Sequence, residues 1–282
     1  MCPSRSLGGS GWRTCGPTRR RDRTTSRWAR GLDWPAEIEH TPLSPSTNDR
    51  LKQRARAGAV EWTVVLADAQ SAGRGRQGRR WSSPPGNLYM SVLLRPAPPD
   101  ARWSVLPLAA GLAVGEALAA EGLDVRLKWP NDVMAEGRKV GGILAEATSG
   151  ADGLESVVLG IGVNVAVRPP DLPPEVAEAV TCVAEALARA VDRVVIAAAV
   201  LARLTVWYHA LAREGPRVVQ AAWRARAVPW WGRAVEAQSG GRRLRGIARD
   251  LDEGGALILE LEDGTRTVLH SGEVREVRPA GD

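Results

Sequence analysis

The stretch "LKWPNDVMAEGRKVGGILAE", Leu127 to Glu146, holds two of only three lysines in a chain with 38 basic residues. The third is Lys52, and every other positive charge is an arginine. The stretch reads as sheet. "VRLKWPND" is a strand running into a proline turn, and "RKVGGILAEAT" is the strand that follows. "LESVVLGIGVNVAV" is a further strand, joined to it through "SGADG" in the manner of a hairpin. A compact ammonium on a flexible stem holds different groups from a planar guanidinium. Lys128 and Lys139, close together in a chain that writes nearly all its other positive charge as arginine, therefore mark this segment for chemistry.

Outward from it, "SPSTNDRLKQRARAG" predicts a helix capped by Ser46 or Thr47 and stopped at Gly58. "WTVVLADAQ" and "LYMSVLLRP" predict strands, with the loop "GRGRQGRRWSSPPGN" between them. "WSVLPLAAGLAVGEALAAEG" predicts a long apolar helix. After the proline-rich "RPPDLPPE", helices are expected over Glu175–Ala190, Val194–Arg213 and Pro216–Arg226. The texture changes at "VPWWG". From Gly232 short alternating strands are parted by "SGG", "DEGG" and "EDG" turns, as in a small β-barrel. The order fits α+β rather than regular βαβ winding. The expected division is a basic leader over residues 1–35, a mixed-sheet domain packed with helices over 36–228, and a β module over 229–282.

The net charge of +6 belongs to the leader. Eight arginines and two aspartates fall in residues 1–35, leaving thirty basic against thirty acidic residues beyond them. The leader lacks the apolar run of a secretory signal, and its glycines and prolines spoil the helix of a transit peptide. It reads as a disordered extension. No run of 18 apolar residues occurs, so no membrane span is expected. Cys2, Cys15 and Cys182 have no ligand spacing, which argues against a disulfide framework or a structural zinc and suits a reducing, cytoplasmic setting. His40, His209 and His270 stand far apart and offer neither a metal cluster nor a catalytic triad.

"GRGRQG", Gly73 to Gly78, matches a dinucleotide fingerprint in letters. That reading needs a helix directly after it, and "RRWSSPPGN" forbids one. What remains is a glycine loop whose backbone can approach a ligand closely, with Arg74, Arg76, Arg79 and Arg80 as forked donors for carboxylate or phosphate. A flexible basic segment touching nucleic acid is the other reading of the loop taken alone. The chain's four asparagines, Asn48, Asn87, Asn131 and Asn164, fall in "STN", at the loop's exit, in "KWPND" and in "GIGVN". Their joint placement is more telling than any one of them.

Taken together, "STN", "QSAGRGRQGRRW", "GNLYMSVLLRP", "KWPND", "RKVGGILAE" and "VLGIGVNV" resemble, in order and rough spacing, the biotin–protein ligases, over about Glu37 to Arg278. The resemblance implies a class II synthetase-like catalytic fold followed by an SH3-like domain. It implies two steps: biotin and ATP give biotinyl-5′-adenylate and pyrophosphate, and the adenylate then acylates a lysine of a biotin carboxyl carrier domain. Lys139 matches the catalytic lysine near the biotin carboxylate and the α-phosphate. Ser46, Thr47 and Gln70 match contacts to the ureido ring, with Asn48 beside them. Arg74, Gly75 and Arg76 match a loop that closes over the adenylate, and Gly142 permits close backbone approach. Arg79, Trp81, Lys128, Asn131 and Asn164 are expected at the nucleotide. Asp132 is open between holding Mg²⁺ and receiving the incoming lysine's proton. Lys128 is open between a phosphate partner and a partner of Asp132. Regulatory members of the family carry an N-terminal helix–turn–helix, which is not found before "STN", so no specific DNA site is expected. The oligomeric state, monomer or homodimer, is not legible. Lipoate–protein ligases and octanoyl transferases share the fold and are the nearest competing reading. A basic nucleic-acid-binding protein is the competitor from another class, opposed by the neutral charge beyond residue 35.

Overall fold

The computed structural model describes residues 36–151 and 153–276; the leader lies outside them. In chain order come β1 (Ile38–Ser44), α1 (Thr47–Arg56), β2 (Val64–Gln70), β3 (Leu88–Leu94), α2 (Leu106–Ala120), β4 (Val125–Lys128), β5 (Asp132–Ala135), β6 (Arg138–Gly150) and β7 (Gly153–Val163). Then follow α3 (Pro174–Ala177), α4 (Val183–Ala186), α5 (Arg193–Glu214) and α6 (Pro216–Arg226). The C-terminal strands are β8 (Ala234–Ser239), β9 (Arg242–Leu251), β10 (Leu257–Leu261), β11 (Arg266–Leu269) and β12 (Glu273–Glu276).

The first seven strands form one sheet in the order β1-β2-β3-β7-β6-β5-β4. β1 runs parallel to β2, and every other pairing is antiparallel. Strand alternation gives the sheet two characters. Leu159, Ile161 and Val163 of β7 face the main core with α2, α5 and α6, whereas Val158 joins Leu51 and Ala55 of α1 in a second small cluster. The same parity puts Gly160 and Gly162 of β7, and Gly142, Leu144 and Glu146 of β6, on the α1 side of the sheet. α2 is buried nearly all round, as its unbroken apolar sequence requires. Two helical stretches, Arg102–Ala120 and Arg193–Glu214, are long and apolar enough to cross a membrane by length and composition. With 72% and 50% of their apolar windows buried against the protein, they serve here as core helices.

The last five strands make a separate antiparallel sheet, β11-β10-β9-β8-β12. Its Val235, Ala248, Leu257 and Val274 belong to the same continuous core as the first sheet. Trp129 Nε1 donates to Gly255 O across the junction at 3.0 Å.

Two local expectations are corrected. Ser46 holds the N-cap position of α1 without a side-chain cap bond; Asp192, by contrast, caps α5 by accepting from Val194 N at 2.9 Å. The single helix expected over Glu175–Ala190 is two four-residue helices, α3 and α4. The chain between them runs beside β6: Lys139 N donates to Ala179 O at 2.7 Å and Thr181 N to Lys139 O at 2.9 Å. Backbone groups spent on the sheet are lost to a helix.

Candidate active site

A cavity of about 550 Å³ opens on the α1 side of the first sheet. Its floor is made of glycine. A Cβ on Gly162 would lie 2.7 Å from the Trp81 indole, and one on Gly142 would lie 3.1 Å from it. The ring therefore lies against bare backbone, and its buried Nε1 has no hydrogen-bond partner.

One end of the cavity is a neutral hydrogen-bonding cluster. The turn from β1 into α1 delivers Ser46, Thr47 and Asn48, each about 4% exposed. Gln70, at the end of β2, accepts from Thr47 N at 2.8 Å and donates to Ser83 Oγ at 2.9 Å. Ser91 Oγ of β3 lies 2.6 Å from Asn48 Oδ1 and 2.8 Å from Thr47 Oγ1. A Cβ on Gly160 would come within 2.4 Å of Asn48 Oδ1, so the asparagine also depends on a bare backbone position. Hydroxyls and amides both donate and accept, which is what a cyclic urea needs.

The other end is charged. Lys139 Nζ sits 2.5 Å from Asp132 Oδ1 and 5.3 Å from the Trp81 ring centroid. Strict alternation along β6 would turn Lys139 into the core, because Gly142 faces the cavity. The pairing of β5 with β6 shifts between Val133 and Met134, so Val133 opposes Gly141 and Met134 opposes Lys139. Val140 is the extra residue; it is fully buried in the core, and Lys139 emerges on the cavity side. Lys128 and Asp132 pair across β4 and β5, with cis-Pro130 in the turn between them. Asn131 Nδ2 donates to Ile143 O at 2.7 Å, which fixes the turn against β6. Burial pulls the Lys128 ammonium below the ordinary lysine value, against the opposing charges of Asp132 and Glu273. Burial likewise lowers Arg76, with Asp132 opposing it.

The loop from Gly73 to Arg80 spans both ends. Arg74 Nη2 bonds Asp49 Oδ1 at 2.6 Å and Glu146 Oε2 at 2.9 Å near the neutral end. Arg79 pairs with Glu273 of β12 at the charged end. That bond raises Arg79 and holds the Glu273 carboxyl below its usual range. The wall carries Arg74, Arg76, Arg79, Arg80, Lys128, Lys139 and Arg275 against two carboxylates, Asp132 and Glu273. Such an excess suits a polyanion.

Ser46, Thr47, Asn48, Gln70, Arg74, Gly75, Arg76, Arg79, Trp81, Lys128, Asn131, Asp132, Lys139 and Gly142 all line this one cavity. Asn164 does not. It is 2% exposed, and its Nδ2 donates to Thr181 O at 3.1 Å, so it braces the chain beside Lys139 and is withdrawn as a nucleotide contact. Asn87 is structural too, its Oδ1 accepting from Val165 N and Ala166 N at 2.9 and 3.1 Å. Sequence reading missed Gly272, Glu273, Val274 and Arg275 of the second sheet, and Val176 and Ala179 from the α3 region. "SGEVRE" carries no local sign of a site; only the docking of the two sheets brings it there.

A glycine-floored cavity with a urea-like cluster at one end and desolvated cations at the other belongs to the class of acid-activating protein ligases built on a mixed sheet. Residues 41–164 match the Biotin/lipoate A/B protein ligase family, and residues 231–275 match the biotin protein ligase C terminal domain. The chain is 37% identical to the Biotin--[acetyl-CoA-carboxylase] ligase of Mycobacterium tuberculosis, over 88% of this chain and 91% of that one. It is 34% identical to the Bifunctional ligase/repressor BirA of Bacillus subtilis, over 82% of this chain and 71% of that one. The structure of the Aquifex aeolicus biotin protein ligase in complex with biotin and ATP superposes with a TM-score of 0.72 at 29% identity, covering 86% of this chain and 99% of that one. The chain belongs to the biotin protein ligase family and is an enzyme.

Proposed function

We propose that this chain activates biotin with ATP and transfers it to a lysine of a biotin carboxyl carrier domain. The observation that carries the reading is the Lys139–Asp132 pair at 2.5 Å, where the glycine floor meets the cationic end. In the first step a biotin carboxylate oxygen attacks the α-phosphorus and pyrophosphate leaves. Two anions must approach each other, and Lys139, Arg76 and Lys128 supply the positive charge. Because the latter two are half-buried, their field is screened less than that of a surface charge. In the second step the acceptor amine attacks the acyl carbon, AMP leaves, and the amine loses a proton. Asp132, the cavity's one carboxylate not tied to an arginine, is the residue placed to accept it.

The donor set fits Mg²⁺ only as an ion carried in on the nucleotide. Among the described residues no group of three or more His, Cys, Asp or Glu side chains could hold a metal, and Mg²⁺ commonly takes one carboxylate plus phosphates and water. Asp132 would be that carboxylate, and the ion would supply charge neutralisation at the phosphates. The C-terminal strands fit an SH3-like barrel whose β12 closes the nucleotide end, with the boundary near residues 228–229. A cytoplasmic location suits Cys182, a buried free thiol.

The test is incubation with ATP, Mg²⁺, labelled biotin and a carrier domain. Label on one carrier lysine is expected. Pyrophosphate release driven by lipoate rather than biotin would overturn the choice of acid.

A further inference from the structure

Lys52, the third lysine, is outside the cavity and unused by the reaction. Its Nζ lies 2.5 Å from Glu146 Oε1. Glu146 is likewise absent from the cavity wall, yet its other oxygen, Oε2, accepts from Asn48 Nδ2 at 2.7 Å and from Arg74 Nη2 at 2.9 Å, and both of those residues do line it. We infer that Glu146 is a positioning residue for the end of the cavity that takes the biotin ring: its carboxylate holds Asn48 and Arg74 in their ligand-facing orientation, and Lys52 holds the carboxylate. The inference rests on the biotin reading above.

Three observations support it. A carboxylate only accepts, so Glu146 fixes which way the Asn48 amide points. The NH₂ group faces Glu146, with Leu144 O at 3.3 Å as its second partner. The carbonyl is thereby turned to Ser91, at 2.6 Å, and to bare Gly160 on the cavity wall. Second, Arg74 is the root of the loop that spans the cavity, and its guanidinium is pinned between Glu146 and Asp49. Third, α1 presents Asn48 and Lys52 one turn apart on the face toward β6. A lysine meets one carboxylate oxygen as a point charge and leaves the other free. An arginine fork would take both and evict Asn48 and Arg74. Burial opposes the charge on Glu146, but the bonds from Lys52 and Asn48 and the charges of Lys52 and Arg74 outweigh it, holding the carboxyl below its ordinary value.

The test uses the full chain. In Glu146→Gln, biotin KM in pyrophosphate release and biotin Kd by calorimetry should both rise about tenfold, the weight of a charge-assisted hydrogen bond. The KM for ATP and kcat at saturating biotin should stay within about twofold of wild type. Lys52→Met should shift biotin KM the same way by a smaller factor, and it decides the matter alone should Glu146→Gln fail to fold. Unchanged biotin KM in both variants, or equal loss for biotin and ATP as in general loosening, overturns the inference. Wild-type chain that binds no biotin removes the biotin reading and this inference together. Wild type that binds biotin normally beside unaffected variants removes the inference alone.

Discussion

The two ends of the cavity solve opposite problems. At the neutral end Thr47, Asn48, Gln70, Ser83 and Ser91 bond one another in a continuous chain. At the charged end Lys128 and Arg76 are half-buried with too few acids to match them. The polar groups of the first end are already hydrogen-bonded to one another within the fold. The second holds unspent positive potential that a triphosphate would relieve. Shape recognition and charge recognition are thus separated along a single glycine floor.

The sharpest break in that comparison is at Lys139. Replacing it by alanine should slow adenylate formation by roughly a hundredfold or more, about 3 kcal/mol of lost transition-state stabilisation. Lys139→Arg should be nearly as damaging if a mobile point charge is what matters. Transfer from supplied biotinyl-adenylate should suffer less in both. Near-normal pyrophosphate release by Lys139→Arg would show that the guanidinium serves equally well.

A steric test comes next. Gly160→Ala places a methyl 2.4 Å from Asn48 Oδ1 and must displace it. Overpacking costs about 1–3 kcal/mol, so biotin affinity should fall roughly tenfold or more while ATP affinity holds. Calorimetry with each ligand measures this directly, and equal losses would mean that the two ends are not separable.

The smallest effect is expected from salt. Raising ionic strength should weaken ATP binding several-fold and biotin binding much less, since ATP brings a triphosphate to the charged end and biotin a single carboxylate. Parallel salt slopes for the two ligands would dissolve the distinction.

Most of the neutral end was legible in the sequence. Local patterns mark Ser46 and Thr47 only as a helix start and Asn48 only as a rare amide; it is the family resemblance that puts them and Gln70 at a ligand. Lys128, Asp132 and Lys139 were legible for a compositional reason, as rare lysines around a proline turn. Glu273 and Arg275 were not, because they reach the site through the packing of one sheet on another, some 190 residues after Arg79. Asn164 misled because rarity alone cannot tell a ligand-facing amide from one that braces the backbone against Thr181. The break between α3 and α4 was invisible to periodicity, which does not register that Lys139 claims the intervening chain.

The extra residue at Val140 makes the reactive lysine a matter of counting rather than spelling. Exchanging Val140 for another apolar residue keeps the parity of β6 and leaves Lys139 facing its ligand. Straightening the bulge with every residue kept would turn Lys139 into the core, whereas deleting Val140 would close the ladder and leave the lysine opposite Met134 on the cavity side. A variant that had lost no residue could thus have lost its chemistry, and one that had lost a residue could have kept its lysine in place.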